Sequence, residues 1–382
     1  MQLSNTVKEN EPQLVRKIFD KAKHYDHVTD LTLGDPDIPT PEAVKNATIQ
    51  ALAENKTKYT ANAGIPELRQ AISDDVFVRT GIRYPIEQIA VTAGAMGALY
   101  LTTTCLLNPG DEMIILQPHW PNYTNMVKMA GGVPRYVNYL GENLLHLEEN
   151  IEKAVSEHTR AIIINSPSNP TGVILPYEKL EGIAQIAKKH DLYVITDEVY
   201  RTIVFNGSFH SILEILGMAE RTVLVDSLSK RFSMTGYRVG FVCGPGQLAS
   251  SVAMLQENVN SCACQFAQYA SLTALNHSHE LEQQVCDIFR RRCTAMAAEL
   301  NKSEKLMLPE PVSTFYLFVD IRKTGLRSED FAYRLLDEKH IAVVPGIAFN
   351  KAGEGYIRIA CTLSEEKLIA AAKDIVAFVE DL

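Results

Sequence analysis

Residues 225–240 read VDSLSKRFSMTGYRVG and contain a lysine, Lys230, that two different reaction chemistries could use. Ser227 and Lys230 have the Ser-x-x-Lys spacing of serine acyl hydrolases, and residues 323–325 (KTG) match a second motif of those enzymes. A lysine amine can instead hold a carbonyl cofactor as a Schiff base. The two chemistries belong to different enzyme classes, so the other polar residues of the chain have to decide between them.

Several further polar residues follow predicted strands, and open α/β sheets bind ligands beyond the carboxyl ends of their strands. Asp197 ends the apolar run YVITD, where a buried carboxylate is costly unless it meets a cation or hydrogen-bond donors. For an isolated aspartate, a helix cap or a structural ion pair is the simpler interpretation. Asn169 lies in a loop that two prolines stiffen. Gly94 opens a helix whose first amides, at Ala95 and Met96, are suited to a phosphate, although tight turns need small residues anyway.

These strand ends bring hydroxyls, a lysine, an arginine and a carboxylate to one cleft, namely Ser227, Ser229, Lys230, Arg238 and Asp197. Such a set suits a phosphorylated aldehyde that carries a basic ring nitrogen. The acyl-hydrolase interpretation fails because the chain has no Ser-Asp-Asn motif and no export signal, and because Lys230 follows a strand instead of opening a buried helix. We interpret residues 323–325 as a turn after a strand.

The middle of the chain alternates short β-branched runs with longer helical patterns, which is typical of a mostly parallel sheet covered by helices on both faces. The predicted strands of this sheet are residues 89–94, 112–118, 134–139, 160–167, 193–200, 222–229 and 238–245. The last strand follows its predecessor after a connection too short for a helical crossover, so we expect it to run antiparallel. Residues 95–107 and 177–190 are predicted helices.

We predict an α/β protein with three parts. They are an N-terminal segment (1–44), a large domain that contains the seven-stranded sheet (45–285), and a small α+β domain (286–382). In the small domain, predicted strands at 316–321, 341–346 and 356–361 alternate with helices at 328–338 and 364–382. The first forty residues contain no sheet of their own, so we expect them to pack against the small domain and leave a cleft between the two domains.

Charge and cysteine content exclude several classes of protein. The 382 residues include 46 acidic and 37 basic side chains, a formal net charge of -9, without a Lys/Arg-rich run that would follow a phosphate backbone. The chain has no apolar run of membrane-spanning length and no N-terminal signal pattern, and its 7 scattered cysteines do not resemble a disulfide framework or a zinc site. We therefore expect a cytoplasmic enzyme with free thiols, no metal, and neither nucleic acid nor membrane as a partner.

A series of ordered motifs closely resembles the class I and II aminotransferases, which are pyridoxal-phosphate enzymes of the aspartate aminotransferase fold. The motifs are LGDPD (33–37), KYTANAGIPELRQAI (58–72), VTAGAMGAL (91–99), QPHWPNY (117–123), NSPSNPTG (165–172), TDEVY (196–200), SLSKRFSMTGYRVGF (227–241), VVPGIAF (343–349) and GEGYIRIA (353–360). Together they run nearly end to end. The resemblance implies the pyridoxal-phosphate-dependent transferase fold type I, aminotransferase activity and pyridoxal 5'-phosphate as the cofactor.

The resemblance also implies roles for individual residues at the cofactor ring. Lys230 would form the Schiff base and later move the proton between the substrate Cα and the cofactor. Asp197 would keep the pyridine nitrogen protonated, so that the ring accepts electrons. Asn169 and Tyr200 would hydrogen-bond the phenolic oxygen, and Trp120 would stack on the ring.

Phosphate and substrate contacts are implied in the same way. The groups implied to hold the phosphate are Ser227, Ser229, Arg238, the amides of Ala95 and Met96, and Tyr59 from a neighbouring subunit. A tyrosine donated across subunits implies a homodimer with shared active sites. The residues implied to contact the substrate are Gly34, Trp120, Asn169 and Arg358. The Arg358 guanidinium would grip the α-carboxylate with a bidentate fork that lysine lacks.

Some positions depart from the pattern of this family. Aspartate-specific members of the subgroup carry a lysine where this chain has Met96, so one route to a second substrate carboxylate is missing. Arg201, next to Tyr200, is either a contact for such a carboxylate or, more commonly for an arginine at a strand end, part of a solvated or intersubunit ion pair. Ser313 and Thr314 stand where many relatives have glycines, which would alter a loop near the substrate mouth.

The predicted activity is transfer of an amino group between an L-amino acid and a 2-oxo acid in two half-reactions. The alternative is a carbon-sulfur β-lyase of the same fold, which uses the same lysine and aspartate but expels a thiol from Cβ. The residues named so far do not separate these two activities. A regulatory ligand sensor of this fold is disfavoured, because such proteins usually carry an appended DNA-binding domain.

Overall fold

A computed structural model describes residues 2–9 and 14–382 of the chain. The α-helices are α1 (Asn5–Glu9), α2 (Leu14–Ala22), α3 (Glu42–Ala53), α4 (Pro66–Thr80), α5 (Gly94–Leu106), α6 (Asn122–Met129), α7 (Leu147–Ala154), α8 (Tyr177–Lys189), α9 (Leu228–Arg231), α10 (Leu248–Glu257), α11 (Gln265–Asn276), α12 (Ser278–Leu300), α13 (Ser328–Lys339) and α14 (Glu365–Glu380). The strands are β1 (Thr29–Asp30), β2 (Ile89–Ala93), β3 (Glu112–Gln117), β4 (Val133–Asn138), β5 (Thr159–Asn165), β6 (Tyr193–Asp197), β7 (Thr222–Ser227), β8 (Val239–Cys243), β9 (Tyr316–Asp320), β10 (Ile341–Ala342), β11 (Val344–Pro345) and β12 (Tyr356–Ala360).

The central sheet has seven strands in the order β2-β8-β7-β6-β5-β3-β4. β8 runs antiparallel to β2 and β7, whereas the strands from β7 to β4 are parallel to their neighbours. The predicted α/β class, the seven-stranded sheet and the antiparallel direction of its last strand are confirmed.

The strands of this sheet are buried on both faces because their sequences are nearly continuous apolar runs. Ile162, Ile163 and Ile164 of β5 are all buried. The helices present an apolar stripe to the sheet, as in α8, where Leu180 and Ile183 lie one turn apart and are buried. β2 passes directly into α5 at Gly94, one residue earlier than the predicted helix start. This direct passage places the first turn of α5 at the carboxyl edge of the sheet.

A second, antiparallel sheet has the order β11-β12-β9. The predicted strand at 341–346 is divided, because β10 pairs with β1 while β11 pairs with β12. Ile18 and Leu31 share one hydrophobic cluster with Phe331 and Ile375, so the N-terminal segment contacts the C-terminal part of the chain. The domain boundaries stay a prediction, and the one at residue 285 falls within α12.

The parallel strands β5, β6 and β7 end side by side, with Asn165 in register with Asp197 and Asp197 in register with Val225. Beyond these ends lies a cavity of about 290 Å³, which is also lined by the segment around Gly34 and by Arg358 of β12. In the part of the chain that the structure describes, no helix is long and apolar enough to cross a membrane.

Candidate active site

The cavity brings together all but one of the site residues proposed from the sequence. Those that line it are Gly34, Ala95, Met96, Trp120, Asn169, Asp197, Tyr200, Ser227, Ser229, Lys230, Arg238 and Arg358. Tyr59 is the exception, since its side chain is 85% exposed and lies beside Cys262 and Phe266 in a separate surface depression. One chain therefore assembles the lysine, the carboxylate, the hydroxyls and both arginines, and leaves Tyr59 outside.

Lys230 lies on α9, a four-residue helix that begins directly at the end of β7. Ser227 caps this helix, because its Oγ accepts a hydrogen bond from the amide of Ser229 at 3.1 Å. The Lys230 amine donates to the carbonyl oxygen of Gly34 at 2.5 Å. Burial of the amine lowers the pKa of Lys230 to about 8. An amine with this pKa is neutral more often near neutral pH than an ordinary lysine, and the neutral form is the nucleophile and the base.

Asp197 is buried at the end of β6 and has only neutral hydrogen-bond donors. The Tyr123 hydroxyl donates to its Oδ2 at 2.6 Å, and the Val199 amide donates to its Oδ1 at 3.3 Å. Burial raises the pKa of Asp197 to about 7, against the lowering effect of these hydrogen bonds. A carboxylate in this condition is stabilised by a cation that enters the cavity, such as a protonated ring nitrogen.

The turn between β2 and α5 forms a cradle for an anion together with the start of β8. Gly94 has a φ of +73°, and a Cβ at this position would lie 2.6 Å from Nη2 of Arg238. A Cβ at Gly240 would lie 2.4 Å from the amide nitrogen of Ala95. The two glycines therefore keep the backbone and the guanidinium close together. This backbone and guanidinium, with the hydroxyls of Ser227 and Ser229, whose oxygens are 2.9 Å apart, supply the donors that a phosphate group requires.

Arg358 is buried on β12 and packs against the ring of Tyr316, with 4.4 Å between Cζ and the ring centroid. Its Nη1 donates to Oδ1 of Asn169 at 3.0 Å, and its Nη2 donates to the carbonyl oxygen of Thr32. Its Nε is buried and has no hydrogen-bond partner. Because both acceptors are neutral, the guanidinium remains available for a carboxylate.

Two tyrosines of the cavity were not proposed from the sequence. Tyr123 binds Asp197, and the Tyr316 hydroxyl lies 3.2 Å from that of Tyr200. Tyr316 also fixes the approach of the N-terminal segment, since a Cβ at Gly34 would lie 2.1 Å from its hydroxyl oxygen. Tyr123 ends the motif QPHWPNY and Tyr316 follows Thr314 by two residues, but no local pattern separates a tyrosine that binds a site from one that fills a core.

Arg201 and Lys323 lie away from the cavity. Arg201 forms ion pairs with Asp226 and with Asp75 of its own chain, each with an N–O distance of 2.9 Å, and its side chain is only 9% exposed. The expected solvated or intersubunit ion pair is therefore wrong, and so is the expected substrate contact, because Arg201 does not line the cavity. Lys323 is exposed in a turn and donates to the carbonyl oxygen of Glu304. Since Lys323 does not line the cavity, the acyl-hydrolase arrangement is not formed.

Histidine and cysteine side chains supply no chemistry to the cavity. His119 is buried behind Trp120, hydrogen-bonded to its carbonyl oxygen, and burial lowers the pKa of His119 to about 4. The 7 cysteines are all free. Within residues 2–9 and 14–382, no group of three or more His, Cys, Asp or Glu residues is placed to hold a metal ion.

Comparison with known proteins gives one consistent result. Residues 26–375 match the profile of the family described as aminotransferase class I and II. The chain is 38% identical over 373 residues to an aspartate aminotransferase of Pyrococcus abyssi, which covers 96% of each chain. It is 36% identical over 373 residues, again 96% of each chain, to aromatic-amino-acid aminotransferase 2 of Thermococcus litoralis. The solved structure of aspartate aminotransferase from Thermus thermophilus with maleate aligns over 100% of both chains with a TM-score of 0.93 and 34% identity.

Proposed function

This chain belongs to the family of class I and II aminotransferases and is a transaminase, and from that premise we propose that it holds pyridoxal phosphate in the cavity. The amino group would pass between an L-amino acid and a 2-oxo acid in two half-reactions. The observation that carries this proposal is that Lys230 and Asp197 lie at neighbouring strand ends in one cavity, where each has a neutral hydrogen-bond partner.

The residues of the cavity fit this cofactor. Asp197 offers a carboxylate to the ring nitrogen, and Lys230 offers an amine to the aldehyde carbon. Gly94 and Gly240 keep the anion cradle open, as added Cβ atoms would clash there. The residues proposed to hold the cofactor are Ala95, Met96, Trp120, Asn169, Asp197, Tyr200, Ser227, Ser229, Lys230 and Arg238.

When bound, pyridoxal phosphate supplies an electron sink for the electron pair released as the Cα–H bond of the amino acid breaks. Lys230 Nζ takes the proton from Cα, since its burial favours the neutral amine. Asp197 holds a proton on the ring nitrogen, and the positive charge there offsets the cost of burying the ionised carboxylate. The Tyr200 hydroxyl lies 3.2 Å from that of Tyr316 in the cavity lining and is proposed to hydrogen-bond the phenolic oxygen of the cofactor.

The substrate carboxylate is proposed to bind Arg358 through its planar fork. Gly34, Trp120 and Asn169 are proposed to complete this subsite. Lys230 and Gly34 are hydrogen-bonded to each other, and Asn169 already orients the Arg358 guanidinium. A substrate that binds there therefore meets a preoriented arginine next to the catalytic amine.

We also propose a homodimer with shared active sites and a cytoplasmic location. The exposed Tyr59 lies outside the cavity of its own chain, which supports its proposed contact with the phosphate in a neighbouring subunit. The 7 free thiols suit a reducing compartment.

The test is the absorption spectrum of the purified protein, with and without added pyridoxal phosphate, before and after anaerobic mixing with single amino acids. Conversion of the visible cofactor band to that of pyridoxamine phosphate, with release of the matching 2-oxo acid, is the expected result. Pyruvate and ammonia released from cystathionine, with the visible band restored, would identify the β-lyase instead. A protein that shows no visible band with added cofactor would overturn the proposal.

A further inference from the structure

A group of charged side chains lies behind the cavity, at the ends of the same strands, and the reaction described above does not use it. This buried charge network consists of Asp75, Arg79, Glu198, Arg201, Asp226, Arg231 and Glu282. The side chains of Glu198, Asp226 and Arg231 are 0% exposed. Burying ions costs several kcal/mol for each charge, and well-packed apolar residues are often at least as stabilising. What charged contacts add is direction, because guanidinium and carboxylate groups bind in fixed geometry.

Asp75, on α4, is the centre of this network. Its Oδ1 lies 2.8 Å from Nη2 of Arg231, and its Oδ2 lies 2.9 Å from Nη2 of Arg201 and 3.7 Å from Nε of Arg79. Burial alone would raise the pKa of Asp75, but the guanidiniums of Arg231, Arg201 and Arg79 hold it well below its usual range. Asp75 is therefore a fixed negative charge that three cations share.

Members of the network are chain neighbours of the residues that line the cavity. Arg231 directly follows Lys230 on α9, and Arg201 directly follows Tyr200. Asp226 connects the network to the backbone of a cavity residue. Its Oδ1 accepts from the Ser227 amide at 2.7 Å, and its Oδ2 accepts from Nε of Arg201 at 2.9 Å. A shift of either guanidinium would move the backbone of a residue in the cavity.

The need for such anchoring is greatest at α9. A four-residue helix has almost no internal hydrogen bonds, so neighbouring contacts have to set its direction. The Lys230 side chain itself ends on a carbonyl oxygen that the substrate is proposed to approach. Arg231, the residue after Lys230, binds Asp75 and Glu282 and so fixes α9 on the side away from the cavity.

We propose that Asp75 is a positioning residue for transamination, because its carboxylate holds Arg231 and Arg201 at once and thereby fixes the Lys230 amine relative to the Tyr200 hydroxyl. This inference rests on the proposed function of Lys230. Asp75 touches neither substrate nor cofactor and acts only through the two arginines. Asp75 thereby controls the distance between the Lys230 amine and the substrate Cα, across which the proton is transferred.

The experiment compares Asp75→Asn with Asp74→Asn in the holoenzyme. Asp74 is the adjacent residue, but its side chain is exposed and contacts Arg83 and Gln70, both of which lie outside the network. Single-turnover rate constants, the apparent Kd of the amino acid, the kinetic isotope effect with Cα-deuterated substrate and the melting temperature are measured for each protein. For Asp75→Asn we expect a rate constant roughly 10²-fold lower, an unchanged Kd and a larger isotope effect, since proton transfer becomes slower. Asp74→Asn should match the wild type.

A purely structural role predicts a different pattern, in which Asp75→Asn lowers the melting temperature but leaves the rate constant and isotope effect of the folded enzyme unchanged. That result, or equal losses in rate and in substrate affinity, would overturn the inference. If Asp75→Asn does not fold, Glu282→Gln decides, because Glu282 binds Arg231 from the half-buried side of α12 and leaves the Asp75 contacts in place. It should lower the rate constant in the same direction, and an unchanged rate would overturn the inference. A wild-type enzyme without turnover would instead contradict the proposed function.

Discussion

The cavity and the buried charge network both gather charged side chains at the ends of β6 and β7, yet their partners differ. Lys230 donates to the Gly34 carbonyl, Arg238 to the Thr235 carbonyl and Arg358 to the Thr32 carbonyl, so each of these cations meets a neutral acceptor. In the network, each of the three guanidiniums contacts two or more carboxylates.

The pKa values respond to this difference. Burial lowers the pKa of Lys230 to about 8 and raises that of Asp197 to about 7, whereas neighbouring guanidiniums hold the pKa of Asp75 well below its usual range. Unpaired buried charges store free energy that a ligand of opposite charge can release. In paired charges, the attraction between the partners already fixes the positions of the strand ends, so no such free energy remains for a ligand. The distinction separates groups that bind from groups that position.

The most severe test replaces the cavity lysine. Lys230→Ala should lower the rate of each half-reaction by about 10⁴-fold, because it removes the amine that is proposed to bind the cofactor and to move the Cα proton. The rate is measured in single turnovers with bound cofactor. Lys323→Ala is the matched control, since Lys323 is exposed and donates only to the Glu304 carbonyl. If the rate of Lys230→Ala stayed within about tenfold of the wild-type rate, Lys230 would not take part in the reaction.

The next test uses the pH dependence of stability in the cofactor-free protein. The folded pKa of Asp197, about 7, lies above its ordinary value of 3.8, so the folded state binds more protons between these values and loses stability as the pH rises. Between about pH 5 and pH 7, the free energy of unfolding of the wild type should therefore fall by about 2 kcal/mol relative to Asp197→Asn, as measured by urea denaturation.

The same comparison at Asp75 should have the opposite sign. Its pKa is held low in the folded state, so its stabilising effect is present at neutral pH and is lost as the pH falls through the acidic range. The advantage of the wild type over Asp75→Asn should shrink on acidification. Equal pH profiles for Asp197→Asn and Asp75→Asn would remove the distinction between unpaired and paired charges.

Arg358→Lys tests the substrate subsite with the charge retained. Lysine cannot offer two parallel N–H groups, so kcat/KM for the amino acid should fall by about 10²-fold while cofactor affinity stays the same. Arg322→Lys is the control, because the Arg322 side chain is 62% exposed, pairs with Asp320 and does not line the cavity. If Arg358→Lys lost cofactor affinity, Arg358 would contact the cofactor, and its assignment to the substrate carboxylate would be wrong.

Much of this arrangement could be predicted from the sequence, and the rest depends on contacts without a local pattern. The buried strands are apolar runs that end in polar residues, so Asp197 and Lys230 could be placed at one edge of the sheet. The ion pairs of Asp75 join residues 126 and 156 positions apart, and no periodicity encodes such a contact. Thr314 was expected to alter the substrate mouth, but it is buried, with a φ of +59°, and lies outside the cavity lining.

The smallest expected effect concerns a charge that the cavity lacks. Lys230, Arg238 and Arg358 are the cations that line it, and each has a proposed role with the cofactor or the α-carboxylate. A second substrate carboxylate would therefore find no free cation among the described residues of one chain. Met96 is 40% exposed at the start of α5 and lines the same cavity.

Met96→Lys adds an unpaired ammonium at this place and should raise the ratio of kcat/KM for aspartate over alanine by about tenfold, which corresponds to about 1.4 kcal/mol. Met96→Gln has a similar length without the charge and should leave the ratio unchanged. If Met96→Lys also leaves the ratio unchanged, the side-chain carboxylate of aspartate is bound by groups outside this wall of the cavity. If it rises, an added charge without a carboxylate partner has become a binding group, as expected from the contrast between the cavity and the buried charge network.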